Sequence, residues 1–384
     1  MGIEPTPSTT HSSFRPTRRE LFTGGDGVLA GFITGIITEK KISEKPATET
    51  RGKLALEKLR GGYSNLESHA SAVICDKQGN IIKQFILPDA KQRVNVHSAI
   101  KPFHAGLLIE FINELKIRGR DVPEFCPQEI AIFSASHSGS NDHRNWVRSA
   151  LNKAQLDERF MVCGGRRPFD EDAINSLIRA NVPRAQTPKL YDQCSGHHTC
   201  QGILSKLMND SPENYWKPDG KMQQWFLSRL KEYSNDPKVE IISFDNCNIP
   251  TFNVSLPAFA TLYAKFISNP SFKPVIDAMA QHPALVGDDT SLDSKLMELT
   301  DGNLIAKLGA EGLIIVVNKE LQNTLVLKEW SGKYDFSSRI AIQALKEVGW
   351  INRNQTDTLF NMEDFSLRDD KYGVMYRFNS PLWV

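Results

Sequence analysis

Strand-length apolar runs gather at the two ends of this chain, and helix-period stretches fill the middle. His69–Cys75 and Ile81–Leu87 flank the turn Asp76-Lys77-Gln78-Gly79-Asn80 and predict a β-hairpin. Toward the other end, Leu304–Leu308, Gly312–Val317 and Thr324–Lys328 predict three neighbouring antiparallel strands. Between them, Leu107, Leu108, Phe111, Ile112 and Leu115 fall at helical spacing in a segment that Ser98 opens. Helices are also expected over 141–154, 170–180, 198–208, 256–268, 272–281, 289–299 and 336–348. Glu129–Phe133 and Val239–Phe244 are expected as strands. Strands at both ends with helices between them favour one sheet that joins the N- and C-terminal strands, with helices packed on it. The expected fold class is therefore α/β with a central antiparallel sheet and flanking helices.

A chain of 384 residues that is 40% hydrophobic and 24% charged has normal globular composition and can bury a full core. A formal net charge of +1 implies no basic face, which argues against a nucleic-acid partner. Six cysteines in so long a chain are no disulfide framework. Cys75, Cys126 and Cys200 read as small buried hydrophobes, whereas Cys163, Cys194 and Cys247 lie in Gly-, Ser- or Asn-bearing turns. Residues 1–14, rich in Ser, Thr and Pro, read as disordered. Arg18 and Arg19 precede an apolar run, Gly27–Ile37, that resembles the core of a twin-arginine export signal. No small-x-small cleavage site stands out before Arg51, so a cytoplasmic chain with a chance arginine pair is the alternative. The organisation expected is an N-terminal extension over 1–55, a main domain over 56–350, and a weakly periodic C-terminal extension over 351–384.

Four polar motifs stand out from this background. Ser98 and Lys101 form S-x-x-K at a helix start, where positions three apart share a face. A lysine whose pKa is lowered by burial or a second cation becomes a base, and the serine beside it a nucleophile. The helix N-terminus adds donors for an oxyanion. Ser136 follows the apolar run ending at Phe133 and either projects into a site or caps the helix near Asn141. Lys307 lies in an otherwise apolar strand, where it is either paired or faces water from a sheet edge. Gly309 permits close approach of a ligand to that strand. This order of S-x-x-K, second serine and Lys-x-Gly matches that of penicillin-recognising enzymes, with Leu308 in place of the threonine. The remaining motif holds Cys163, Asp192 and Cys194. These are zinc-ligand types without zinc-finger spacing, and they also suit local turn hydrogen bonds or a reactive thiolate at a helix start.

Together these stretches resemble the L-asparaginase II family, also called Rhizobium etli-type asparaginases. The residues carrying the resemblance are His97-Ser98-x-x-Lys101-Pro102, Ala135-Ser136-His137-Ser138-Gly139, Cys163-Gly164-x-x-x-Pro168 and Cys194-Ser195-Gly196-His197-His198. Further on come Asp245-x-Cys247-x-Ile249-Pro250-Thr251, His282-Pro283-x-x-Val286-Gly287 and Lys307-x-Gly309-Ala310-Glu311-Gly312, all in the family's order over about residues 60 to 350. The resemblance implies a fold like serine β-lactamases and glutaminases, hydrolysis of L-asparagine to L-aspartate and ammonia, and a homodimer. It implies two Ser-Lys pairs, Ser98 with Lys101 and Ser136 with Lys307, with Ser98 the nucleophile. It further implies substrate contacts from His97, His137, Asp192, Cys194 and Gly309, and a zinc site at Cys163, Asp192 and Cys194.

Several positions depart from the pattern. His97 stands for an arginine, Ser140 for a frequent glutamate, and His197 for a lysine. Arg166 replaces a histidine or lysine, and a guanidinium cannot ligate a metal. His197 and His198 are the histidines placed to compensate. The alternatives to asparagine hydrolysis are a serine hydrolase acting on another amide and an inactive binding homologue.

Overall fold

The computed structural model describes residues 52–85 and 93–383. The N-terminal tract with Arg18, Arg19 and the Gly27–Ile37 run lies outside the described residues, as do Ile86 and Leu87 of the expected hairpin.

The main sheet takes its strands from both ends of the chain. N-terminal strands are β1 (Lys53–Arg60), β2 (Tyr63–Cys75) and β3 (Ile81–Phe85). A second, small sheet holds β4 (Arg93–Asn95), β5 (Glu240–Phe244) and β6 (Pro250–Ser255), in the order β4-β6-β5. C-terminal strands are β7 (Leu304–Leu308), β8 (Leu313–Asn318), β9 (Asn323–Glu329), β10 (Arg368–Asp369) and β11 (Val374–Phe378). The main order is β10-β11-β1-β2-β9-β8-β7, with β3 also on β2, and every pairing is antiparallel. β2 joins the two halves: Ala70–Cys75 pair with Glu329–Thr324 of β9.

The sheet is covered on both faces, so its central strands read as continuous apolar runs. Along β8 the period of two still sorts the side chains. Leu313, Ile315 and Val317 face the large core built by the middle helices. Ile314 and Val316 face a second core with Phe336, Ile340 and Leu345 of helix Tyr334–Glu347. This is the expected α/β arrangement.

Two expectations are corrected. Glu129–Phe133 is not a strand but the body of helix Pro127–Phe133. A short apolar run does not by itself distinguish a strand from a buried helix. The start signals decide here: Pro127 occupies the first turn, and the Glu129 carboxylate accepts the Cys126 N–H at 2.8 Å, closing a capping box. The segment 351–384 also has regular structure, with helix Arg353–Asn361 and strand β11. β11 pairs with β1 over Leu56↔Phe378 to Arg60↔Val374, and β1 itself begins inside the stretch expected as N-terminal extension. The weak periodicity reflects a short strand whose partner lies at the opposite end of the chain.

Candidate active site

The candidate site begins where a short 3-10 turn, His97–Ile100, runs into the helix Lys101–Ile117. Pro102 sits in the first turn, where its missing N–H leaves no bond unmade. Lys101 is only 2% exposed. Its ammonium donates to Ala135 O at 2.7 Å, to Ser136 Oγ at 3.0 Å and to Cys194 Sγ at 3.3 Å. One lysine thus ties together the Ser98 turn, the Ala135–Gly139 loop and the Cys194 turn. Ser98 and Ser136 are both half-buried, and the Ser136 N–H is anchored to Val286 O at 2.8 Å.

The pairing differs from the expected one. No hydrogen bond joins the Ser98 hydroxyl to Lys101, whose serine partner is Ser136. Lys307 is held by Asp293, with Nζ 2.9 Å from Oδ2. It lies on the edge strand β7, but instead of facing water it is fully buried beneath helix Leu292–Leu299. A buried ammonium needs a counter-charge, and Asp293 at the start of that helix supplies it. Sequence reasoning missed Asp293. Gly309 lies just beyond: a Cβ there would stand 3.2 Å from Ala99 Cβ, so the end of β7 lies against the turn that carries Ser98.

His97 occupies a left-handed backbone conformation, φ 43°. Its Nδ1 lies 2.5 Å from Asp245 Oδ1 and its Nε2 3.3 Å from Glu311 Oε2. Burial alone would lower an imidazole's pKa, but the hydrogen bond to Asp245 and the Glu311 carboxylate outweigh it and raise His97 to about 9. His97 is therefore an imidazolium at neutral pH, clasped between the loop after β5 and the turn before β8.

Asp192 is completely buried and fully subscribed. Arg166 grips it through Nε and Nη2, at 3.0 and 2.9 Å from Oδ2, and Nη2 also lies 3.0 Å from Oδ1. The backbone N–H groups of Gly164 and Cys194 donate to it as well, at 3.3 and 2.9 Å. Cys194 immediately precedes helix Ser195–Leu207. The bond from the Cys247 thiol comes first in lowering its pKa, with help from the Lys101 charge against the cost of burial. The Cys247 thiol is pushed well up by that same bond and by burial. The partnership with Cys247 was not anticipated from sequence. Burial, then the Asp192 charge, raises Cys163 well above its usual range. As a donor set for a divalent cation, Cys163, Asp192 and Cys194 do not fit: the carboxylate is occupied by a guanidinium. Among the described residues no group of three or more His, Cys, Asp or Glu is arranged to hold a metal.

The histidines of the motifs are braces. His137 Nδ1 accepts the Gly139 N–H at 3.1 Å, which leaves Nε2–H to donate to Ser195 Oγ at 2.9 Å. It is fully buried, and burial holds its pKa well down. His197 takes a hydrogen bond from Gln201 at 2.7 Å, and His198 bonds to the Tyr215 hydroxyl. Neither ring bonds to Cys163, Asp192 or Cys194. Gly196 has a packing role, since a Cβ would stand 2.1 Å from Ile132 O.

A cavity of about 10 Å³ lies against Lys101, lined in part by His97, His104, His197, Asp245 and Cys247. That is room for one water. Of the lining residues, His104 Nε2 and Thr251 Oγ1 have no hydrogen-bond partner.

Comparison with known proteins gives one family. The model of the family described as L-asparaginase II matches residues 56–374. No curated protein matches the sequence. Among solved structures, the chain is similar to a β-lactamase from Mycobacterium bovis at 14% identity, covering 72% of this chain and 94% of that one, with a TM-score of 0.40. It is also similar to a putative β-lactamase from Bacteroides dorei at 11% identity, covering 72% of this chain and 84% of that one, with a TM-score of 0.35.

Proposed function

This chain belongs to the L-asparaginase II family, a family of amidohydrolases, and we propose that it hydrolyses L-asparagine to L-aspartate and ammonia by Ser-Lys catalysis. The observation that carries this reading is the Lys101 ammonium 3.0 Å from Ser136 Oγ, with Ser98 one turn before the lysine on the same chain segment.

In the proposed reaction the Lys101 ammonium first releases one proton to solvent; Ser98 Oγ then adds to the side-chain amide carbon and gives its proton to the resulting amine. The charge that develops on the amide oxygen faces the positive end of the Lys101–Ile117 helix. Lys101 returns the proton through the Ser136 hydroxyl to the amide nitrogen, the C–N bond breaks, and ammonia leaves. Water then adds to the Ser98 ester, loses a proton to Lys101, and releases aspartate as Ser98 recovers its proton. Lys307, neutralised by Asp293, keeps the end of β7 and Gly309 beside Ser98.

Ammonia release from L-asparagine by the wild type and by Ser98→Ala tests this. The expected outcome is release by the wild type and none by the variant, with unchanged circular dichroism. Full activity in Ser98→Ala refutes the assignment of the nucleophile.

A second reading, hydrolysis of a different small amide, draws on one observation. Where the family pattern has an arginine, His97 is already engaged by two carboxylates, leaving that corner with net negative charge. A panel of amides with and without an α-carboxylate separates the two readings.

A further inference from the structure

Arg166 stands in a position that the L-asparaginase II pattern gives to a histidine or lysine, and its guanidinium is placed where a cation is needed. Asp192 is fully buried, and an uncompensated carboxylate there would be strongly unfavourable. Arg166 meets it side-on, through Nε at 3.0 Å and Nη2 at 2.9 Å from Oδ2. The planar fork of a guanidinium matches a carboxylate in a way no ammonium does. With the Gly164 and Cys194 N–H groups added, both oxygens have all the donors they can accept. Arg166 is about a third exposed (31% side-chain accessibility) and Asp192 not at all, so the guanidinium covers the carboxylate from the solvent side. A metal ion approaching Asp192 would have to displace it.

We propose that Arg166 replaces the divalent cation at this site, so that the enzyme is metal-independent. The ion pair neutralises Asp192 and ties the Cys163–Arg166 loop to the Asp192–Ser195 turn. That turn carries Cys194, whose sulfur Lys101 touches at 3.3 Å. Arg166 is thus a positioning residue: it fixes the turn against which the Lys101 ammonium is set. The role needs a cation, and here the cation is part of the chain.

The test uses the full chain, purified from zinc-supplemented medium. Bound metal is measured by mass spectrometry, and zinc is titrated against a chromophoric chelator. Thermal unfolding is followed with added zinc and with EDTA. The wild type is expected to carry far less than one zinc per chain and to show the same Tm under all conditions. Arg166→Ala frees Asp192 beside Cys163 and Cys194, and is expected to gain about one zinc per chain with a Tm that rises when zinc is added. About one zinc per wild-type chain, removed by EDTA with a fall in Tm, overturns the proposal. So does a folded Arg166→Ala that takes up no zinc. Should that variant not fold, the wild-type stoichiometry and its response to EDTA decide alone. None of these readouts uses activity, so they stand or fall apart from the identity of the amide.

Discussion

The ion triad Asp245–His97–Glu311 makes the stability of this protein depend on pH in the alkaline range. The perturbation is His97→Gln, which keeps a hydrogen-bonding side chain and removes the charge. In the folded protein His97 has its pKa raised from 6.5 to about 9. A group that holds its proton more tightly when folded stabilises fully below its unfolded pKa and loses that effect as pH rises through the folded one. Raising the pKa from 6.5 to about 9 corresponds to about 3 kcal/mol. Glu311 is 62% exposed, so solvent screens its share and most of the effect resides in the Asp245 contact. The assay is urea unfolding of both proteins across the range. The wild type should exceed the variant by about 3 kcal/mol near pH 6, by about 2 kcal/mol near pH 7.5, and by close to nothing beyond about pH 10. Glu311, held below the usual carboxylate range by the bond to His97, keeps its charge across this window. A difference that stays constant over this range would refute the triad's charge state.

Three other outcomes follow from the geometry. Lys307→Met or Asp293→Asn alone leaves one buried charge uncompensated and should cost about 3–5 kcal/mol by urea unfolding, with the double variant less destabilised than the sum of the two. Additive effects would mean that the pair is not coupled. Cys247→Ala removes the thiol that bonds to Cys194, so the thiolate absorbance near 240 nm should appear at higher pH than in the wild type; an unchanged titration would place the source of the lowered Cys194 pKa elsewhere. Gly196→Ala sets a methyl group 2.1 Å from Ile132 O. It should lower Tm by well over ten degrees or prevent folding, and a Tm equal to the wild type's would show that the two helices part freely.

The sheet was legible because its strands are buried on both faces and their apolar runs are unbroken. Leu304–Leu308 and its two neighbours follow the predicted ranges to within about a residue. Glu129–Phe133 was misread because four apolar residues in a row carry no period, and the informative residues, Pro127 and Glu129, belong to the capping pattern instead. β11 was missed for a different reason. Only Val374 and Tyr376 of its five residues are buried, and its stability comes from pairing with β1. Asp293 and Asp245 were invisible as counter-charges because the chain holds 45 acidic residues and nothing local singles out the two that fold against Lys307 and His97.

The Ser-x-x-Lys spacing pairs Lys101 with Ser98, whereas in the structure the lysine bonds to Ser136, and the reason is the number of hydrogen bonds a buried ammonium requires. Positions three apart at a helix start do face one another, and helical side chains lean toward the N-terminus, so a contact with Ser98 is geometrically open. A lysine in solution can spend its donors on water. At 2% exposure it cannot, and each of its three N–H groups needs an acceptor inside the protein. Ser98 offers one hydroxyl. The loop after helix Pro127–Phe133 offers Ala135 O and Ser136 Oγ together, and the Cys194 turn adds a sulfur. Desolvation therefore draws Lys101 to the long-range cluster and leaves the Ser98 hydroxyl unbonded to it. The proposed reaction needs Lys101 to reach Ser98 when the amide enters while keeping Ser136 as its second partner. A Ser136→Ala variant should then keep the fold while losing ammonia release, because the proton path to the leaving nitrogen is cut although both Ser98 and Lys101 remain; undiminished release from that variant would show that Ser136 is only a structural acceptor.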